Sequence, residues 1–170
     1  AGWLKQVIDR DDPARVFVDV GGVGAGVYDR ACEMGYKRIV RPINFGSIPF
    51  EPPPLDDTGK PRGGPLNRRA EMWMNCKAWL EDPAGAAIPD SDSLQADLCG
   101  PAYKYDSNTR LQLESKEDMR RRDVLSPDEG DALCLTFAEP VDPDEDPDIE
   151  ERERAERRGR KYGQSSVTGY

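Results

Sequence analysis

The 170-residue chain is 36% hydrophobic, enough apolar material for one modest domain and too little for two large cores. Acids outnumber bases 33 to 24 for a net charge of −9, which argues against a general nucleic-acid-binding surface. Histidine is absent and Cys32, Cys76, Cys99 and Cys134 form no C-x-x-C pair, so Ser-His and Cys-His catalysis and a zinc site are disfavoured.

Those cysteines read as reduced, mostly buried thiols. No run approaches the roughly 20 apolar residues of a membrane span, and AGWLKQVIDR lacks a signal pattern, so a soluble, cytoplasmic protein is expected.

In chain order, GWLKQVID reads as a short amphipathic helix and RVFVDV as a buried strand. GAGVYDRACEMG reads as a helix ending at a glycine, and KRIVRPINF as a second strand. Strand, helix and strand within about 30 residues predict a parallel crossover, which places functional groups at strand carboxyl ends. Residues 46–66 are rich in proline and glycine and read as a loop or insertion. NRRAEMWMNCKAWLED follows, with Ala70, Trp73, Cys76 and Leu80 at helical spacing, Asn67 as N-cap, and both tryptophans as packing residues.

IPDSDSLQADLCG suggests a turn and a short helix, and AYKYDSNTRLQLES a hairpin about a DSN turn. The last element begins at SPDEGDALCLTFA, where Ser126 is the expected N-cap, Pro127 the first helical residue and Glu129 the capping-box partner. From Glu139 the composition shifts to a proline-punctuated acidic run and then alternating charges. Residues 139–170 are therefore expected to form a mostly disordered tail, either simply solvating or containing a partner-induced helix at DIEERERAERRGRK.

Asp19 sits in a run that is apolar on both faces, where an ionised carboxylate costs several kcal/mol unless it is paired. Two readings stay open: it accepts hydrogen bonds from the following glycine turn, or it holds a metal. Near the start of the last helix, Glu129 and Asp128 are explained by the helix dipole, whereas Asp131 leads directly into the apolar ALCLTFA. One carboxylate at a strand end and two on a neighbouring helix suit hard cations such as Mg²⁺ or Mn²⁺. GGVGAG is no P-loop, since no lysine follows. As a dinucleotide fingerprint it lacks both the sixth small residue and the later acid.

Taken together, VFVDVGGVGAGVYDRACEMGY, INFGS, NRRAEMWMNCKAWLED, IPD, LQLESKEDMRRR and SPDEGDALCLTFA resemble, in this order, one known family. It is the C-terminal nuclease domain of the large terminase subunit of tailed phages, prophages and gene transfer agents. The resemblance spans residues 1–138. It implies an α/β, ribonuclease H-like fold, related to the Holliday-junction resolvases, with a mixed β-sheet flanked by helices. It also implies a two-metal endonuclease that cuts concatemeric double-stranded DNA in the host cytoplasm, with the portal protein and the small terminase subunit as partners.

Of the family's three metal-binding acids, the second falls on Asp19 and the third on Asp131, with Asp128 one turn earlier as a supporting ligand. Lys116 matches a lysine near the active site and would neutralise charge. Arg68 and Arg69, and Arg120, Arg121 and Arg122, read either as DNA-phosphate contacts or as solvated helix faces. The family's first aspartate would precede residue 1, and Asp9, Asp11 and Asp12 lie at a helix end and do not replace it. An N-terminally truncated domain without the ATPase motor is therefore expected, with an exposed sheet edge. A catalytically incomplete module that only binds DNA or the portal is the alternative.

Overall fold

The structure is a computed structural model that describes residues 2–142; the expected tail beyond Asp142 lies outside the described residues. It opens with α1 (Gly2–Asp11), β1 (Val16–Asp19), α2 (Gly24–Glu33) and β2 (Val40–Ile43). The two strands pair in parallel with Val16 opposite Val40 and Asp19 opposite Ile43, so the predicted crossover is present. Helix α2 ends because Gly35, at φ 91°, reverses the chain in a left-handed turn, with Tyr36 N donating to Ala31 O.

Ile8 of α1, Ala31 of α2 and Val40 of β2 form one apolar cluster, joined by Leu4, Val16, Val18 and Tyr28. Asp9 is tied to Lys5 and accepts from Tyr36 Oη at 2.8 Å, so its carboxylate pins α1 to this cluster.

β1 departs from expectation. All four of its residues are half-buried, whereas Val40, Arg41 and Ile43 of β2 are buried. The reason is topological: among the described residues β1 pairs only with β2, and its second edge meets no strand.

The second half comprises α3 (Arg68–Leu80), α4 (Asp92–Cys99), the hairpin β3 (Tyr103–Tyr105) and β4 (Leu111–Leu113), α5 (Lys116–Arg121) and α6 (Asp128–Leu135). Asn67 caps α3 as predicted, its Oδ1 accepting from Ala70 N at 3.0 Å. Helix α3 is the spine. Met72, Cys76, Cys134 and Ala138 form its buried seam with α6, and Ile43 reaches in from β2. Burying a side chain as fully as Met72 contributes about 1.5–3 kcal/mol.

The expected single mixed sheet is replaced by two separate two-stranded sheets among the described residues, one parallel and one antiparallel. The hairpin is tied instead to the long loop, through a bridge between Pro65 and Leu111. All four cysteines are free, and Cys99 is exposed rather than buried.

The glycines after β1 serve Asp19. Gly21 N donates to Asp19 Oδ1 at 2.9 Å, and Gly22 takes φ 74°. A Cβ on Gly24 would lie 1.7 Å from the Asp19 carbonyl oxygen, whereas one on Gly26 would meet open space. Gly24→Ala should therefore destabilise by about 1–3 kcal/mol, while Gly26→Ala should stabilise by up to about 1 kcal/mol. Thermal melts of the two variants should move in opposite directions; two shifts of the same sign would contradict this packing.

Candidate functional site

Asp131, in the first turn of α6, is buried, with 5% of its surface exposed, and like Glu71 on α3 it is an acid inside the molecule's second half. Its charge is compensated from three sides. Arg69 Nε donates to Oδ1 at 2.8 Å and Trp73 Nε1 to the same oxygen at 2.9 Å. Lys116 Nζ lies 3.1 Å from Oδ2, close enough for an ion pair but not aligned as a hydrogen bond, and Oδ2 has no hydrogen-bond partner. The same ammonium lies 3.2 Å from Asp128 Oδ1, whose carboxylate is 79% exposed.

One lysine therefore spans a buried and an exposed carboxylate. Burial works to lower the Lys116 pKa, but the contacts with Asp131 and then Asp128 outweigh it and the net direction is up, so the ammonium stays charged at neutral pH. The Asp128 carboxyl is held below its usual range by the Ser126 hydroxyl first and by Lys116 second.

The start of α6 differs from the predicted capping box. Ser126 Oγ donates to Asp128 Oδ1 at 2.6 Å and caps no backbone amide. The cap comes from another helix: Asp97 Oδ2 on α4 accepts from Glu129 N at 2.8 Å and Gly130 N at 3.2 Å. An acid at this helix end is favoured by the exposed amides and the dipole, so Asp97 anchors the turn that carries Asp128 and Asp131.

Asp19 occupies the carboxyl end of β1, and α6 packs beside that strand. Among the described residues, however, no hydrogen bond or ion pair joins it to Asp128, Asp131 or Lys116, and no three metal-type side chains converge. The structure thus brings together Asp128, Asp131 and Lys116.

Two arginines expected at a DNA surface are not there. Arg68 and Arg69 are buried, 4% and 8% exposed, because they begin the helix that forms the core. Arg68 binds Glu71 at 2.8 Å, the Ala138 carbonyl and Glu139, and stacks over Phe50 at 4.8 Å, whereas Arg69 belongs to the Asp131 cluster. Arg120, Arg121 and Arg122 are exposed, but Arg121 is paired with Glu117 and Asp118, and Arg122 grips Glu114 with two nitrogens.

Trp73 is also more than a packing residue, since its N–H ends on Asp131. The available signal was the i, i+4 spacing of Arg69 and Trp73 on the buried face of α3, two donors that require a buried acceptor.

The Arg122 guanidinium, followed by the Ala102 backbone amide, lowers the Glu114 carboxyl to about 2. A depressed carboxyl contributes stability that is present above the unfolded value, 4.5 for this carboxyl, and lost as pH falls through the folded value. Glu114→Gln should therefore lower the urea midpoint at pH 7, and the gap from wild type should close by about pH 2. A gap that persists in acid would assign the effect to packing.

With this geometry in hand, comparisons with known proteins bear on the fold. No protein-family model matches the chain, and no curated protein matches it. Solved structures do. The nuclease domain of the large terminase subunit gp2 of bacterial virus Sf6 is similar with a TM-score of 0.61 at 20% identity, over 82% of this chain and 71% of that one. A lysine-to-alanine variant of that domain with manganese and beta-thujaplicinol gives a TM-score of 0.63 at 19% identity, over 82% and 71%. A form with calcium gives 0.61 at 20%, over 81% and 70%. The chain therefore has the fold of that nuclease domain.

Proposed function

We propose that this chain is the metal-dependent endonuclease domain of a viral DNA-packaging terminase, hydrolysing phosphodiester bonds in concatemeric double-stranded DNA. The observation that carries this reading is the Asp131 carboxylate, whose Oδ2 is buried without a hydrogen-bond partner beside Asp128 and a charged lysine, in a nuclease-domain fold.

A buried carboxylate oxygen that accepts no hydrogen bond and is met by an ammonium at 3.1 Å, next to a second, exposed carboxylate, fits a hard divalent cation, and Mg²⁺ or Mn²⁺ is the expected ion. Asp131 and Asp128 would hold it, with Asp19 contributing from the adjacent strand end; two such ions would activate water and stabilise the leaving oxygen. Lys116 supplies positive charge between the acids, and on this reading it would meet a scissile phosphate once a cation takes over that charge. Of the exposed cations Arg120, Arg121 and Arg122, the last two would exchange Glu117, Asp118 and Glu114 for phosphates to meet the DNA backbone.

On this reading residues 1–138 form the nuclease domain and 139–170 a charged tail. The portal protein and the small terminase subunit are partners, and the host cytoplasm is the place of action. Among the described residues no helix is long and apolar enough to cross a membrane.

The test is plasmid cleavage in Mn²⁺. Nicking and linearisation are expected, lost in EDTA and in Asp19→Asn; an unaffected Asp19→Asn would remove that residue from the ligand set. The second reading, a catalytically incomplete DNA- or portal-binding module, is favoured by one observation: Asp19 bonds Gly21 rather than joining the α6 acids. No cleavage, with salt-sensitive DNA binding, would select it.

A further inference from the structure

We infer that Trp73 and Arg69 are positioning residues of the candidate metal site, locking the Asp131 carboxylate so that Oδ2 alone faces the cation; this rests on the reading of Asp131 as a metal ligand. Both donors end on the same oxygen, at 2.9 and 2.8 Å, whereas Oδ2 receives no hydrogen bond and is met by the Lys116 ammonium at 3.1 Å, the side from which a cation would take over that charge. Rotating the carboxylate would break two buried hydrogen bonds at once, each costly to leave unmade.

The donors are themselves fixed. The Arg69 guanidinium lies over the Trp73 ring at 5.7 Å, and its Nη1 donates to the Glu114 carbonyl at 2.9 Å. The Arg69 backbone amide is bound to Phe45 O at 3.0 Å. The indole also sets the height of α6. A Cβ on Gly130 would lie 3.3 Å from the Trp73 ring, so the helix turn preceding Asp131 rests directly on it. Ligand carboxylates are commonly oriented by such outer partners, and loss of one typically weakens metal binding about 10–100-fold. Trp73 has a single N–H and no acceptor, so it can only donate, and that one donor is spent on Oδ1.

The experiment is Mn²⁺ binding to the full chain, followed by the electron paramagnetic resonance signal of free metal, with circular dichroism as the fold control. Trp73→Phe retains an aromatic ring and loses the donor; it should weaken Mn²⁺ binding about ten-fold or more while the spectrum of the fold is unchanged. In an Asp131→Asn background the same change should have no further effect.

Should Trp73→Phe not fold, Arg69→Lys preserves the charge, removes the fixed Nε donor and should weaken binding similarly. Wild-type affinity in a folded Trp73→Phe would overturn the positioning role while leaving Asp131 as a ligand. Wild-type affinity in Asp131→Asn, or no Mn²⁺ binding by the wild-type chain at millimolar metal, would overturn the metal site itself and this inference with it.

Discussion

Asp131→Asn should abolish Mn²⁺-dependent DNA cleavage and destabilise the fold at the same time. Loss of an outer-shell partner already costs about 10–100-fold in affinity or activity, and loss of a ligand should exceed that range. The stability effect has a separate cause. Asp131 is the carboxylate that compensates Arg69, whose side chain is only 10% exposed, and neutralising it strands a buried guanidinium.

Breaking a buried pair from one side costs about 3–5 kcal/mol. The amide retains an acceptor for Trp73 and Arg69, so the lower end of that range is expected from urea unfolding. Lys116, part-exposed and also paired with Asp128, should not add much to the loss. A variant that loses cleavage with unchanged stability would mean that Arg69 finds another acceptor. One that loses stability but cleaves at the wild-type rate would remove Asp131 from the chemistry.

Arg68→Met should produce a stability loss of similar size, about 3–5 kcal/mol, without touching the acidic site. The Arg68 and Glu71 side chains are 5% and 6% exposed, and Glu139 stands 3.5 Å from the same guanidinium. Burial pushes the Arg68 pKa down while Glu71 opposes the shift, and the group remains charged in the physiological range.

Glu71 also accepts from Phe50 N and Glu51 N at 2.7 and 2.8 Å, and Arg68 donates to the Ala138 carbonyl. The cluster therefore ties the start of the long loop and the end of α6 to the start of α3. Removing the cation leaves two covered carboxylates without it, whereas replacing Arg68 and Glu71 together with apolar residues should recover much of the loss. Urea midpoints of the single and double variants test this; a single variant within about 1 kcal/mol of wild type would show the cluster to be dispensable.

The two arginines show where sequence reading stops. A basic pair at the start of a helix looks the same whether it faces solvent or core. The core reading requires knowing that Ala138, Glu139 and Asp131 return to this helix, and the Arg69–Asp131 bond joins residues 62 positions apart. The capping box failed for a related reason. Ser126 and Glu129 have the right spacing, but Asp97, more than 30 positions earlier, reaches the same amides and takes the role. Trp73 was read as packing because its ring is apolar, and only its partner, 58 positions away, reveals the use of its N–H.

By itself the sequence determined the short-range architecture. The β1-α2-β2 crossover, the Asn67 cap, the reversal at Gly35 and the hairpin all follow from hydrophobic period, backbone dihedrals and side-chain bonds within a few residues, whereas the sequence left Asp19 open between its glycine turn and a metal. Block order added the nuclease fold.

Tertiary structure alone decided which charges are buried, which carboxylate oxygen is buried without a hydrogen bond, and that the strands form two small sheets. Those outcomes depend on desolvation, and desolvation is a property of what packs against a group rather than of its neighbours along the chain.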